Sequence, residues 1–504
     1  MSIKSVILLL SIPFFIQVTG LSQPCLPNGI VFTTQAQLDS FQIIYPNCTE
    51  IQGDVEINGS DIIDLSGLSS LMALGGKLTI SHNNILTSLI GINNINSIGG
   101  NIIIHSNDSL ESLSGLSNLN FIGGYLSIGY NPKLQSLSGL NNLVFIMGGL
   151  GILGNLGLTS LFGLNNLDSI GEALLIAHND NLTDLTGFNN LSYIGKYIEL
   201  NSNDGLTNLA GLEKVTYIKE HLIIYGNDSL KSLSGLDNLD SIGGYISIPK
   251  NRVLKSLSGL NNMTLIGGYL EIWDNDSLKS LDGLNKLTYI NGRLNIVGNN
   301  ALTNLSGLDS LIYIGGSLNI GVNIGTGNSA LKNLSGLSKL KYIDGSINIE
   351  FNPSLTSLSG LGNIEANTIT DLIIENNVSL TECAVKSICD YLLSPNGTVS
   401  IQTNSNGCNS QAEVKDSCIV VGISEAYSDK VVSFYPNPVK RVVCISNNNS
   451  NKVNEVCFYN QLGQRVLHKT RLTHSIDVSM LQKGMYIIEL HLEETIIREK
   501  LIIE

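Results

Sequence analysis

Apolar residues recur along most of the chain with a period of 24 residues. In the copy around Gly115 they occupy Leu110, Leu113, Leu116, Leu119, Ile122, Leu126 and Ile128. The glycine of each Leu-x-Gly-Leu-like step marks thirteen such copies from Gly67 to Gly360, and eleven of the twelve intervals are 24 residues. The remaining interval is 29 residues, because five residues are inserted within 321–330. A repeat of this length predicts stacked units that share one core.

Each copy predicts one short strand and several tight turns. Leu126 and Ile128 alternate with their neighbours at period two, which indicates a strand with these two side chains inside. The spacing of three from Leu110 to Leu119 indicates turns that each return a leucine to the core. Stacked copies would pair as a parallel sheet with strands about 4.8 Å apart. We therefore predict an all-β chain whose residues 51–376 form a long parallel β-solenoid with one strand per coil.

Two polar or flexible positions also repeat. An asparagine closes each copy, at Asn83, Asn107 and onward in 24-residue steps to Asn323, and then at Asn352 and Asn376. We expect it to turn inward and to hydrogen-bond backbone groups of its own and neighbouring coils. Paired glycines before the strand, such as Gly123 and Gly124, indicate a tight bend or a positive φ.

The cysteines flank the repeats rather than interrupt them. Residues 1–20 resemble a signal peptide, with Lys4 before an apolar run that is too short to span a membrane, so disulfides are possible in the exported chain. Because an open solenoid end exposes core, we predict disulfide-bonded caps at 21–50 and 377–424. The candidate cysteines are Cys25 and Cys48 before the repeats, and Cys383, Cys389, Cys408 and Cys418 after them. For the last four, three pairings remain open.

The 24-residue period is absent from residues 425–504. Short alternating segments are separated there by turn sequences such as Pro436-Asn437-Pro438 and by Gly463 and Gly484. This pattern predicts a small Ig-like β-sandwich.

The repeats resemble a known family. The segment Ile122-Gly123-Gly124-Tyr125-Leu126-Ser127-Ile128 with Asn131, followed by Ser136-Leu137-Ser138-Gly139-Leu140, resembles the receptor L-domain. That family is a relative of leucine-rich repeats, and the resemblance implies a right-handed, β-helix-like coil. It specifies a fold but no ligand.

The C-terminal segment resembles, over its whole length, the type A sorting domain of the Bacteroidetes type IX secretion system. The sorting-signal residues by this resemblance are Tyr435, Pro436, Asn437, Pro438, Gly463, Gly484, Tyr486 and Lys500. The resemblance implies that the type IX secretion machinery is a partner. It also implies transport across the outer membrane and a final location at the cell surface or outside the cell.

Charge and hydropathy exclude some partners. The net charge is −14, and the residues from Ala426 onward carry 10 Lys and Arg against 8 Asp and Glu, which leaves −16 on the rest. An acidic body argues against nucleic acid as a partner. No segment is apolar over the roughly 20 residues that a membrane-spanning helix needs.

One stripe of aromatic residues is the best candidate for a ligand site. The first outward strand position carries Tyr197, His221, Tyr245 and Tyr269 on four consecutive coils, and the third adds Tyr225 and Trp273. Such rings suit stacking on sugars or anchoring a partner protein; alternatively, aromatic residues simply favour strands. We expect a second file to pack along a coil edge, namely Phe121, Phe145, Tyr193, Tyr217, Tyr289, Tyr313 and Tyr342.

The repeat does not predict a catalytic centre. Glu199 and Glu271 share the middle outward position but lie three coils, about 14 Å, apart, beyond the roughly 5–9.5 Å of a glycosidase pair. His82 and His105 occupy adjacent coils without an evident third ligand, so we expect no metal or cofactor. We predict a non-catalytic binding or adhesion protein for a glycan or a protein. The alternatives are a structural spacer or coat component and, least favoured, a polysaccharide-degrading β-helix enzyme.

Overall fold

The chain folds into two compact units, divided between Val421 and Gly422. The computed structural model describes residues 24–321, 327–420, 432–435, 439–447, 453–461, 463–470, 475–492 and 496–503. The predicted signal peptide, residues 1–20, lies outside these ranges, and so do Pro436, Asn437 and Pro438 of the sorting signal.

The first unit is a parallel β-solenoid whose main sheet has sixteen strands, one from each coil. Neighbouring strands pair at the repeat distance, so that Leu126 lies opposite Leu150 and Ile128 opposite Ile152. The predicted solenoid is therefore confirmed. The strands are Ile30–Phe32, Val55–Ile57, Leu78–Ser81, Ile102–His105, Leu126–Gly129, Leu150–Leu153, Leu174–Ala177, Ile198–Asn201, Leu222–Tyr225, Ile246–Pro249, Leu270–Trp273, Leu294–Val297, Leu318–Ile320, Gly345–Glu350, Ile369–Glu375 and Val399–Gln402.

Most coils also contain a second, two-residue strand, so the expectation of one strand per coil was incomplete. These strands form an eight-stranded and a six-stranded parallel sheet. Two residues are too few to show alternation in the sequence. The first sheet comprises Pro24–Cys25, Glu50–Ile51, Ala73–Leu74, Ser97–Ile98, Phe121–Ile122, Phe145–Ile146, Ser169–Ile170 and Tyr193–Ile194. The second comprises Tyr217–Ile218, Ser241–Ile242, Leu265–Ile266, Tyr289–Ile290, Tyr313–Ile314 and Tyr342–Ile343.

Tight turns fill the rest of each coil. The N–H of Leu116 donates to the carbonyl of Leu113 at 2.9 Å, and that of Leu119 donates to the carbonyl of Leu116 at 3.0 Å. Each such turn returns a leucine to the interior, where these side chains are fully buried, as their spacing predicts. Some turns are short 3₁₀ helices, at Ser66–Leu68, Ser114–Leu116, Ser335–Leu337, Ser359–Leu361 and Ala366–Thr368.

The repeated glycines serve two different geometries. Gly139, in the Leu-x-Gly-Leu step, has a φ of 113°, which disfavours any side chain. Gly123 does not have a positive φ. A Cβ atom there would lie 2.2 Å from the carbonyl oxygen of Gly99 in the adjacent coil. The paired glycines are therefore required by the close approach of stacked coils rather than by a positive φ.

A buried asparagine ladder runs along one corner of the solenoid. The Asn131 Oδ1 atom accepts hydrogen bonds from the backbone N–H and the Nδ2 group of Asn107, both at 3.1 Å. The Asn107 Nδ2 group also donates to the carbonyl of Ile80 at 3.0 Å and to that of His105 at 3.1 Å. The predicted inward asparagine is thus confirmed, since one amide satisfies backbone groups of its own and neighbouring coils.

Two ladder positions differ from the prediction. The Asn299 N–H donates to Asn328 rather than to Asn323, because the five-residue insertion lies before the ladder asparagine. Asn323 itself is among residues 322–326, which lie outside the described ranges. The Asn352 N–H donates to Asn377 rather than to Asn376. Asn376 has a φ of 58° and occupies the left-handed position that precedes the ladder residue in many coils.

Helices and disulfides close both ends of the solenoid. At the first end, α1 spans Gln35–Ile44, begins with a capping box at Thr34, and buries Leu38 and Phe41 in the solenoid core. At the other end are α2, Lys386–Leu393, and α3, Gln411–Val420. The disulfides are Cys25–Cys48, Cys383–Cys408 and Cys389–Cys418, which selects one of the three open pairings.

The second unit consists of two antiparallel sheets with one apolar core. A three-stranded sheet contains Val432–Tyr435, Val442–Asn447 and Ser475–Asp477, with Val442–Asn447 in the middle. A four-stranded sheet has the order Arg465–Lys469, Val453–Tyr459, Gly484–Leu492 and Ile496–Ile503. Antiparallel pairing of short strands agrees with the alternating sequence of this segment.

Candidate functional site

The outer face of the main sheet displays three side chains per coil. In the strand Leu270–Trp273, Leu270 and Ile272 are fully buried, so Glu271 and Trp273 face outward. Tyr269 immediately precedes this strand and supplies the first outward position. Because strands pair at the repeat distance, each outward position forms a file along successive coils.

The structure brings the four predicted first-position residues into one stack, here called the aromatic column. The ring centroids of Tyr197 and His221 are 4.3 Å apart, those of His221 and Tyr245 are 4.7 Å apart, and those of Tyr245 and Tyr269 are 4.3 Å apart. The planes differ by only 4–11°. The rings of the two inner members are therefore covered on both faces by their neighbours.

Charged groups lie at both ends of the aromatic column. The guanidinium of Arg293 lies 4.6 Å from the centroid of the Tyr269 ring, and its Nη2 atom is 2.6 Å from the Glu271 Oε1 atom. At the other end, Glu199 lies on the coil of Tyr197, and its Oε1 atom is 3.3 Å from the Nε2 atom of His221, the second ring of the column. Burial raises the pKa of Tyr269 to about 12, which agrees with a sheltered stack.

Tyr225 and Trp273 lie on the opposite side of this face, joined by a lysine. The Lys250 Nζ atom lies 5.7 Å from the Tyr225 ring centroid and 5.1 Å from the Trp273 centroid. Both distances lie within the roughly 6 Å of a cation–π contact. The predicted aromatic pair is therefore held on either side of one ammonium group.

Between these two walls lies a strip that we call the aromatic groove. The third outward position lies four residues after the first, so the walls stand about 13 Å apart at the backbone. The floor contains Ile223 and the nearly buried Ser247, and Glu199 and Glu271 lie toward its ends. A ligand in the groove would meet ring edges, hydroxyls and carboxylates, rather than the open ring faces that the sequence suggests.

The second predicted aromatic file occupies the first residue of the two-residue strands, and its members differ in exposure. Phe121 and Phe145 stack with centroids 5.7 Å apart, and the Tyr313 hydroxyl donates to Asp344 at 2.7 Å. These three pack along the coil edge as expected. Tyr193 and Tyr217, however, are 56% and 51% exposed, so part of this file is more open than the aromatic column.

His105, in one of the first coils, lies on the same outer face. His105 is paired in register with Ser81, and its Nε2 atom is 2.7 Å from the Ser127 hydroxyl oxygen. Burial, and secondarily the neighbouring His82, holds the pKa of His105 below its usual range. His105 is therefore a half-buried histidine in contact with a serine hydroxyl.

In the C-terminal unit, a cleft contains two of the predicted sorting residues, Gly484 and Tyr486. Asn460 and Gln461 on one side and Lys483, Gly484 and Tyr486 on the other line this cleft of about 230 Å³. The Tyr486 hydroxyl donates to the Gln482 carbonyl at 2.7 Å, which fixes one wall.

The remaining sorting-signal residues are placed separately. Gly463 and Gly484 both have a positive φ. Tyr435 ends the first strand of the three-stranded sheet, and Lys500 pairs in register with Ile487.

One comparison with known proteins identifies the C-terminal unit. Residues 433–504 match the family described as the secretion system C-terminal sorting domain. This family marks proteins that the type IX secretion system delivers to the cell surface or the extracellular space, and the chain is such a cargo. No curated protein matches the chain. Among the residues that the structure describes, no helix is long and apolar enough to cross a membrane.

Proposed function

We propose that the solenoid is an extracellular binding or adhesion protein, which the sorting domain exports, and that the aromatic groove binds a glycan or a protein. The observation that carries this proposal is a change of residue type at the first outward position, which is confined to a few coils. Four consecutive coils place rings at the first outward position, whereas the two coils before them carry Gly149 and Ala173. Stacking of coils does not demand rings there.

The proposed function is non-catalytic. The two carboxylates of the groove lie on coils three repeats apart, and each is already paired. Glu271 accepts hydrogen bonds from Arg293 and, at 2.8 Å, from the Asn295 amide, while Glu199 contacts His221. A glycosidase would need two carboxyl groups on either side of one bond.

We also propose a relationship between the solenoid and the receptor L-domain and leucine-rich-repeat families. The buried Leu-x-Ile strand and the asparagine ladder that follows it support this relationship. For the C-terminal unit we propose an Ig-like sandwich, which the two antiparallel sheets and their common core support.

The self-stacked geometry also favours a second candidate function, a structural spacer. In the aromatic column each ring covers the next, so the rings can serve to hold coils together without a ligand. In that case the aromatic groove would be a by-product of coil stacking.

A screen of glycan arrays with the full exported chain separates the two functions. The test variant is Tyr245→Ala/Tyr269→Ala/Trp273→Ala. The matched control, Tyr193→Ala/Tyr217→Ala/Tyr289→Ala, removes three rings from the other aromatic file. Wild type and control should bind with similar affinity, while the groove variant should lose at least about 30-fold, as expected when buried aromatic anchors are removed.

Equal binding by all three proteins would refute the aromatic groove as the site. Failure of wild type to bind any glycan, together with failure to capture a surface protein in a cross-linking experiment, would favour the spacer. Circular dichroism and thermal unfolding of both triple variants would confirm that each retains the solenoid.

A further inference from the structure

Three metal-ligating side chains meet on the outer face of the four-stranded sheet in the sorting domain. Glu455 and Cys457 lie on the strand Val453–Tyr459, and His468 lies on the neighbouring strand Arg465–Lys469. Val456 and Phe458 point into the core of the unit. Because side chains alternate along a strand, Glu455 and Cys457 share the opposite face.

The backbone register brings the third residue to the same place. Cys457 pairs directly with His468, so their Cβ atoms lie on one face at cross-strand distance, about 5 Å. One ligand atom each from Glu455, Cys457 and His468 lies within 4.8 Å of the other two. The cluster therefore follows from strand pairing as well as from side-chain orientation.

The groups around these residues are already oriented. The Glu455 Oε2 atom is 2.8 Å from the His468 Nε2 atom, and its Oε1 atom is 3.3 Å from the His491 Nδ1 atom. His491 in turn contacts Glu489 at 3.4 Å. Such outer contacts fix the orientation of ligating carboxylates in metal sites.

Cys457 differs from the six cap cysteines, which are the other cysteines whose side chains the structure describes. Its side chain is 1% exposed and its thiol is unpaired, whereas the six cysteines of the caps form disulfides. A cysteine left over in a secreted protein pairs with another chain or keeps a free, reactive thiol. Cys457 is buried, which disfavours pairing with another chain, and the adjacent imidazole and carboxylate favour a role as a ligand.

We infer that Glu455, Cys457 and His468 bind one zinc ion. Thiolate, imidazole and carboxylate are the ligands that Zn²⁺ takes in proteins, at about 2.0–2.3 Å in tetrahedral geometry. Ligand atoms at these bond lengths in a tetrahedron are roughly 3.3–3.7 Å apart. The three ligand atoms, which lie within 4.8 Å of one another, therefore need to approach only slightly to bind the ion. Water completes the fourth position, and His491 acts as a positioning residue for Glu455. The ion links two adjacent strands of the sorting domain.

The test is a Co²⁺ titration of the full chain with its cap disulfides intact, followed by the thiolate-to-cobalt charge-transfer absorption and by displacement with Zn²⁺. Wild type should bind one equivalent and show the thiolate band. Cys457→Ser should abolish that band, and His468→Ala should weaken binding by at least about 100-fold. His491→Ala should weaken it by about 10–100-fold, as loss of an outer contact does. The matched control is Cys444→Ser, on a strand of the other sheet, and it should bind as wild type does.

Two outcomes would overturn the site. One is a thiolate band that survives in Cys457→Ser or disappears in Cys444→Ser. The other is a native disulfide at Cys457, found by mass spectrometry of unreduced peptides from the exported protein. If Cys457→Ser unfolds the domain, alkylation of the wild type decides the question: Zn²⁺ should slow modification of Cys457, and an unchanged rate would refute the site.

Discussion

The asparagine ladder inside the solenoid and the aromatic column on its outer face are both files of side chains that recur every 24 residues. The ladder residues from Asn83 to Asn377 are fully buried and bond backbone groups, and the ladder ends at the half-buried Asn404 in the second cap. The aromatic column spans four coils, is only half-buried, and contributes ring contacts. The first file runs without interruption from Asn83 to Asn404, whereas the second is local. A side chain that recurs every 24 residues can therefore serve either the fold or the function. The number of consecutive coils that carry it distinguishes the two roles.

The largest effect is expected from breaking the ladder. In Asn179→Ala, the Asn155 N–H and the Ile152 carbonyl lose their partner, and each buried polar group left unpaired costs about 1–3 kcal/mol. We expect the free energy of unfolding to fall by about 3 kcal/mol or more, measured by urea denaturation.

The control for the ladder variant is Asn181→Ala. Asn181 is exposed and makes one cross-coil bond, to the Leu156 carbonyl at 2.7 Å. The Asn181→Ala substitution should lower the free energy of unfolding by no more than about 1 kcal/mol. Equal losses in the two variants would mean that burial of the ladder does not matter.

An intermediate effect is expected from the aromatic column. Tyr245→Ala removes two stacked contacts, each worth about 0.5–1.5 kcal/mol, and should lower the free energy of unfolding by about 1–3 kcal/mol. Tyr217→Ala, in the more exposed file, should change it by less than about 0.5 kcal/mol. Thermal and urea unfolding of the two variants provide the comparison. A negligible loss in Tyr245→Ala would show that the column contributes little to the fold, and would strengthen its assignment to a ligand.

The smallest effect, a gain in stability, is expected at the position that immediately precedes each ladder asparagine. His178 has a φ of 57°, whereas Gly154 and Gly226 occupy the same position in other coils. A left-handed conformation costs a non-glycine residue about 1–2 kcal/mol, partly offset by the chain entropy of glycine. His178→Gly should therefore raise the free energy of unfolding by about 0.5–1 kcal/mol. Asp180→Gly, next to the same ladder residue but without a positive φ, should lower it; stabilisation by both changes would contradict this account.

Much of the solenoid could be predicted because its period is visible in the residues. The buried leucines, the main strands and the inward asparagine follow from spacing alone. The shift from Asn323 to Asn328 could not be predicted, because an insertion does not reveal on which side of the ladder residue it falls. Asn377 rather than Asn376 joins the ladder because Asn376 adopts a left-handed backbone conformation. With two adjacent asparagines, the sequence does not show which of them adopts it.

The surfaces were harder to predict than the core. Sequence spacing places Tyr197, His221, Tyr245 and Tyr269 in one file, but it does not say whether their rings cover one another or face solvent. That depends on the distance between coils and on side-chain rotation. The meeting of Cys457 with His468 was not predicted at all, since antiparallel partners in an irregular domain have no fixed spacing along the chain.

The in-register pairing of each coil with the next has a further consequence for the reach of the protein. Because Leu126 meets Leu150 and Leu150 meets Leu174 in the same way, loss or duplication of one 24-residue unit joins surfaces that already fit. Recombination within the gene can therefore lengthen or shorten the solenoid by one coil at a time, in steps of about 4.8 Å. The caps and the sorting domain stay the same.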